Sequence, residues 1–448
     1  MPSRREFLIG AAALSAACKT KSTSDDSGDT GAVGAPTRPA EPDPWDGLYS
    51  VDEVLFPAGV AAGDATDDGV ILSTRTSADA VGLALYRADG DGWVEDQLLD
   101  ALPVEDGGLQ VTLDGLEADT AYSYAFTAEG AQSRVGRFRT ALGTEGWRVV
   151  TFGATSCLGG NEPWPNMSAV AAERLDFALL LGDTVYADGA DNLEQYRAFW
   201  TDVTALAGLR DFNASTSIIA TWDDHEVENG WTWAETPNID EKFEAGLQAF
   251  TEHLPRRQGG GVAGIWRALS WGAVLDVFVL DCRSERAGEQ YISPEQLDFL
   301  LDALSDSPAR FKIIATPVPF SDYQSLLGTA LVEDRWQGYP EQRAAVLDHI
   351  IEAGITGVLF VAGDFHMGQV CRVDPPGGAG EGIYEVLAGP AGSFINPVAL
   401  LAETSEQWVS FVDQWNSVIF EADPDAGVIK TRFIGDDGEV LSEIALNL

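Results

Sequence analysis

The segment TWDDHEVENG, residues 221–230, surrounds one imidazole, His225, with the carboxylates of Asp223, Asp224, Glu226 and Glu228. Like charges at this density repel one another, so the cluster calls for a positive partner. A protonated histidine, solvent counter-ions or a bound metal ion would each serve. Three further stretches narrow the choice. VVTFGATS is followed by Cys157, FALLLG by Asp183 with Tyr186 three residues on, and VLFVAG by Asp364, Phe365 and His366. Each of these apolar runs, like SIIATW before Asp223, reads as a buried strand, and in open α/β sheets ligand sites lie beyond the carboxyl ends of such strands.

Taken singly, each residue has an ordinary explanation. An aspartate after a glycine is commonly a turn or cap, a lone cysteine a small buried hydrophobe, a lone tyrosine or histidine a packed side chain. The joint pattern is different, because four strands would deliver thiol, carboxylates, phenol and imidazole to one edge. The chain has four histidines. Two of them, His225 and His366, hold these positions, whereas His253 and His349 fall inside predicted helices and read as packing residues. An extended GDFH would turn Asp364 and His366 to the same side, and a turn after FALLLG would join Asp183 to Tyr186. Such a set is an anionic cage, suited to strongly charged cations. Spacing favours the metal.

These residues need a scaffold of regular elements to hold them. From about Val54 to Ala141, short alternating runs such as GVILSTRT, VGLALYR and AYSYAFTAEG predict an N-terminal all-β sandwich over residues 51–142, of fibronectin or immunoglobulin type. LEADTAYSYAF resembles the tyrosine corner of that fold. From Trp147 to Leu448 strands alternate with helices, the α/β pattern. NLEQYRAFW, EKFEAGLQAF, SPEQLDFLLDAL and PEQRAAVLDHIIEAG read as helices. The third opens on a capping box, Ser293 with Gln296, and Gly354 follows the fourth. The C-terminal NSVIFEADPDAGVIKTRFIGDDGEVLSEIAL reads as hairpin strands at a sheet edge.

FGATSC, LGDTVYADG, TWDDHEVENGW, VLDCRSER, DRWQGYPEQR and VAGDFHMG, in that order, resemble the motifs of the alkaline phosphatase D family, and GVAAGDATDDGVILSTRT resembles the opening of its N-terminal domain. The resemblance runs from about Phe56 to Gly368. It implies a catalytic metallophosphoesterase domain, an α/β/β/α sandwich. It further implies a ferric ion held by Cys157, Asp183, Tyr186 and His366, with Asp183 bridging to one or two calcium ions. Asp364 would complete the calcium sites with a donor from the DDHEVEN loop, either Asp224, Asn229 or both. The Asp-x-His motif of the wider superfamily is missing, and Cys157 stands in its region. The implied activity is phosphoester hydrolysis by a metal-bound hydroxide attacking in line. His225 would stabilise the transferring group or protonate the leaving oxygen. Arg283 would either offer its planar donors to a phosphate oxygen or form a structural ion pair.

Composition bounds the partners. Aspartate plus glutamate number 71 against 27 lysines plus arginines, a formal charge of −44, which argues against nucleic acid or an anionic membrane bound through a basic surface. The start, MPSRREFLIGAAALSAAC, resembles a twin-arginine export signal at Arg4 and Arg5, ending at a lipoprotein-like cleavage site before Cys18 with Ser15 where leucine is usual. Residues 19–50 are polar and read as a disordered tether. The expected protein is a periplasmic or cell-surface monomer, touching a membrane only through a lipid on Cys18, with plain cleavage to a soluble protein as the alternative. The competing reading is a non-catalytic surface lipoprotein that binds a partner through its fibronectin-like domain. Cys18, Cys157, Cys282 and Cys371 form no disulfide framework, although a Cys282–Cys371 bridge stays open.

Overall fold

The computed structural model describes residues 44–45, 49–322, 334–396 and 406–448. The expected export signal, Cys18 and most of the expected tether lie outside these residues. Three sheets form among the described residues. The largest contains Val150–Thr155, Phe177–Leu181 and Ser217–Thr221 as adjacent parallel strands. On one flank the C-terminal meander Ser417–Asp423, Val428–Ile434 and Val440–Asn447 completes it to the edge, as expected. In the second sheet Leu275–Val279, Phe311–Thr316, Val358–Ala362 and Tyr384–Leu387 run parallel.

Side-chain alternation explains why these two sheets stack. Along the second sheet Val277, Ile313, Leu359 and Val361 join the core shared with Phe152, Leu179 and Ile219 of the first. Their neighbours Phe278, Ile314 and Phe360 face the other way, onto Leu300 and Leu304 of helix Pro294–Asp306 and Val346 and Ile350 of helix Pro340–Glu352. A strand buried on both faces has no place for polar residues, which is why these runs are continuously apolar. Helices Leu193–Thr204 and Ile239–His253 supply Trp200 and Phe250 to the first core. The result is the expected α/β/β/α sandwich.

The leading β segment is arranged differently from a free-standing sandwich. Ala80–Asp89, Gly92–Pro103 and Ala121–Ala128 build the third sheet, but Val60–Gly63, Gly69–Arg75 and Gly108–Asp114 belong to the first. Val60–Gly63 pairs in parallel with Ser217–Thr221, and its apolar face, with Val70 and Leu72, packs on Leu83, Leu85 and Tyr124 of the third sheet. The fully buried Asp64 fastens this junction by taking Arg267 Nε at 2.7 Å and Nη2 at 2.6 Å. The tyrosine corner is present, with Tyr122 Oη accepting the Glu117 N–H at 2.8 Å.

Two details depart from the sequence reading. Helices Pro165–Ala171 and Ala207–Ser215 lack the long periodic stripe by which helices are recognised, and were not expected. The Ser293 hydroxyl caps Gln296 N–H at 3.1 Å, but the Gln296 side chain does not return to Ser293; it brackets the backbone of Asp281 instead. The Cys282–Cys371 bridge that the sequence left open is not formed among the described residues.

Candidate metal centre

The strand ends meet because glycine lets them. Gly182 has φ 91°, and a Cβ there would lie 2.6 Å from Asp223 Cβ; a Cβ on Gly363 would lie 2.7 Å from the Leu181 carbonyl oxygen. The first approach draws together neighbouring strand ends of the first sheet, and the second brings the ends of the two sheets together. The residues that follow turn sharply. Cys157, Asp183, Asp364 and His366 have φ of 56°, 53°, 49° and 56°. Left-handed backbone is costly for a residue with a Cβ and gathers at functional sites. It also corrects the picture of an extended GDFH. Asp364 and His366 converge through two left-handed turns and serve neighbouring positions, not one shared side.

Three donor groups result, with ligand atoms within 4.8 Å of one another in each: Cys157, Asp183 and His366; Asp183, Asp224 and His225; Asp183, Asp223 and Asp364. Asp183 belongs to all three. Tyr186 adds its hydroxyl, 3.3 Å from Asp183 Oδ2. Glu226 holds the turns in place, its carboxylate accepting the N–H groups of Asp183, Thr184 and Asp223 at 3.1, 2.6 and 2.9 Å.

Buried acids so close together strain one another's ionisation. Burial, with the Arg283 charge opposing and Asp224 adding to it, pushes Asp223 well up, and burial likewise raises Asp224. Burial, then the charge of Asp334, lifts Asp364 to about 7. Burial and Asp183 drive the Cys157 thiol up. Asp183 goes the other way: burial would raise it, but His366 at 4.0 Å, His225 and Arg283 hold it below the usual carboxylate range. Asp183 Oδ1 and Asp223 Oδ2 are buried without a hydrogen-bond partner. Unpartnered buried carboxylate oxygens call for an explanation. Here oxygen, sulfur and imidazole donors surround them, a set that fits metal ions.

The PhoD-like phosphatase profile matches residues 152–437, and the profile of that family's N-terminal domain matches residues 46–142. The chain belongs to the PhoD-like phosphatase family. It is 27% identical over 378 residues to alkaline phosphatase D of Bacillus subtilis (strain 168), covering 69% of this chain and spanning 64% of that relative's length. A solved structure of PhoD superposes with a TM-score of 0.74 at 22% identity, covering 88% of this chain and 89% of the other. Purple acid phosphatase PPD1 from yellow lupin (Lupinus luteus) gives a TM-score of 0.63 at 14% identity, covering 87% and 73%. The fold is therefore that of metallophosphoesterases.

Within this PhoD-like chain the remaining expected residues separate. His225 lies at the rim, its ring stacked on Tyr186 with centroids 4.0 Å apart and its Nδ1 2.7 Å from Asp188 Oδ2. Burial would lower it, but the Asp188 hydrogen bond and the surrounding acids raise it to about 10. Asn229 is exposed, with Nδ2 3.5 Å from His225 Nε2, whereas Asp224 is buried within the donor cluster. Of the two loop candidates, Asp224 groups with Asp183 and His225, and Asn229 stands beside the His225 ring. Arg283 is fully buried, with Nε 2.5 Å from Asp223 Oδ1 and Nη1 2.5 Å from Asp334 Oδ1. Two of its nitrogens form ion pairs, while Nη2, 4.0 Å from Asp224 Oδ1, is buried without a hydrogen-bond partner. Trp222 and Trp231 pack in the core.

Sequence reasoning passed over Asp223, Asp188 and Glu226 as working residues. Asp223 and Glu226 stood in the opening motif and were read only as part of its charge. Asp188 carried one available signal, its place five residues after Asp183 in the same PhoD-like motif.

Proposed function

We propose that the protein is an exported, metal-dependent phosphoester hydrolase. The observation that carries this reading is Asp183, shared by all three donor groups, which suits a carboxylate bridging adjacent ions. Cys157, Tyr186 and His366 would hold one ion with Asp183; Asp223, Asp224 and Asp364 offer oxygens for others. By family resemblance the ions would be ferric iron and calcium. Metal ions bound in such a cage polarise phosphoryl oxygens and lower the pKa of water.

The chain's own residues supply the rest. Asp188 fixes the imidazole of His225, leaving Nε2 turned away from that carboxylate and able to deliver a proton to a leaving oxygen at the rim. Arg283 pairs with Asp223 and Asp334 and opposes the rise that burial imposes on Asp223. Export by the twin-arginine route, with a lipid anchor on Cys18, would set this chemistry outside the cytoplasm and admit folded, metal-loaded protein.

The test combines elemental analysis with turnover of a chromogenic phosphodiester by Asp183→Asn and His225→Ala. Bound metal, with activity lost in both variants, supports the reading. A metal-free protein, or undiminished turnover in both variants, overturns it.

A further inference from the structure

We infer that Phe394, flanked by Trp415, is an aromatic platform that selects phosphoesters carrying a planar, uncharged group. The inference rests on the hydrolase reading above and adds a substrate class to it. Phe394 is 66% exposed, the most exposed aromatic side chain among the described residues, and Trp415 is 37% exposed. Isolated exposed hydrophobics are ordinary on protein surfaces. This one stands against the candidate metal centre: its ring centroid lies 4.3 Å from that of His366, edge to face at 76°.

The backbone that carries Phe394 is built onto the metal-site turns. Ala391 N–H donates to the Ser156 carbonyl at 3.0 Å, and the N–H groups of Gly392 and Ser393 donate to the Cys157 carbonyl at 3.3 and 3.0 Å. Asn396 N–H donates to the His366 carbonyl at 2.8 Å, and its Nδ2 to the Phe365 carbonyl at 2.9 Å. Trp415 Nε1 donates to the Ser393 carbonyl at 2.8 Å, which ties the second ring to the same loop. Phe394 is thus held outward by hydrogen bonds on both sides, on the residues that flank Cys157 and His366. A preset aromatic surface beside a reacting centre contributes binding at little ordering cost.

The chemistry of the occupant follows from the ring. An exposed phenyl face stacks on a planar group, whereas a quaternary ammonium is best held by a cage of several rings, more than the Phe394 and Trp415 pair supplies. The exposed Asp188 stands beside the His225 ring, so a second anionic group on the substrate is disfavoured there. An aryl or nucleobase-like ester arm meets both conditions.

The test compares wild type and Phe394→Ala on bis(4-nitrophenyl) phosphate, glycerophosphoglycerol and glycerophosphocholine, using metal-loaded protein. Intrinsic reactivity cancels in each variant-to-wild-type ratio. The expected result is a fall of roughly five- to tenfold in kcat/KM for the aryl diester, mainly through KM, with less than twofold change for the others and recovery in Phe394→Tyr. An equal fall on all esters, no fall on any, or a loss confined to the choline ester overturns the platform. Competitive binding of phenylphosphonate against ethylphosphonate gives an independent reading. If wild type cleaves no ester, the hydrolase proposal fails, and loss of the phenyl preference in Phe394→Ala still decides for or against the platform.

Discussion

Asp188 grips the rim from two directions, with Oδ2 2.7 Å from His225 Nδ1 and Oδ1 accepting the Asn229 N–H at 2.7 Å. One carboxylate therefore orients the imidazole and shapes the loop that bears it. Asp188→Asn keeps the volume but removes the charge that favours the imidazolium. We expect kcat for a phosphodiester to fall by roughly 10- to 100-fold, with metal content unchanged. Steady-state kinetics with elemental analysis checks this. Metal loss in parallel with activity would mean that Asp188 acts on the centre itself.

Glu226 closes three backbone donors with one side chain. In Glu226→Gln an NH2 group replaces one acceptor and faces N–H groups. Loss of stability by about 2–3 kcal/mol is expected, measured by urea denaturation of the metal-free protein. Metal affinity should drop as well, because the turns at Asp183 and Asp223 lose their common anchor.

His253 provides a pH dependence distant from the centre. Burial, then the charge of Arg75, lowers it to about 4. Its Nδ1 contacts the Ala249 carbonyl oxygen at 2.8 Å, and its ring stacks on Trp200 with centroids 5.6 Å apart. Because the unfolded chain takes up this proton first, its stabilising contribution is complete above about pH 6.5 and is lost as the pH falls through about 4. The loss is on the order of 3 kcal/mol. His253→Phe should abolish this component. Comparing the denaturation of both proteins at neutral and mildly acidic pH isolates it from carboxylate titration, and parallel curves would contradict it.

The net charge of −44 predicts a kinetic signature. An anionic ester approaches against a negative field that salt screens over about 10 Å at 0.1 M. KM should therefore improve as salt rises from a low value to a moderate one. A KM that only worsens would indicate a locally positive approach.

The residues that could be recognised in the sequence were those whose type is rare or whose position follows an apolar run. Cys157, Asp183, Asp224 and His366 stood out because buried strands are continuous apolar blocks with abrupt ends. The left-handed turns that make these residues converge leave no mark of their own, since nothing in GDFH distinguishes an extended chain from two tight bends. Asp188 and Glu226 work through backbone N–H groups far along the chain, and in a sequence with 71 acids they look like surface charge. The parallel pairing of Val60–Gly63 with Ser217–Thr221 was equally hidden, because it joins strands separated by more than a hundred residues of chain.

That pairing bears on how the molecule can be cut. Ser217–Thr221 leads directly into Asp223, Asp224 and His225, and the start of its outer hydrogen-bonding flank, at Ser217 and Ile218, is covered by Val60–Gly63. Trimming the protein to begin near Trp147 would unzip this seam, bare the strand's amides to any passing chain and invite self-association. The leading segment is a permanent neighbour of the catalytic half, not a detachable ornament.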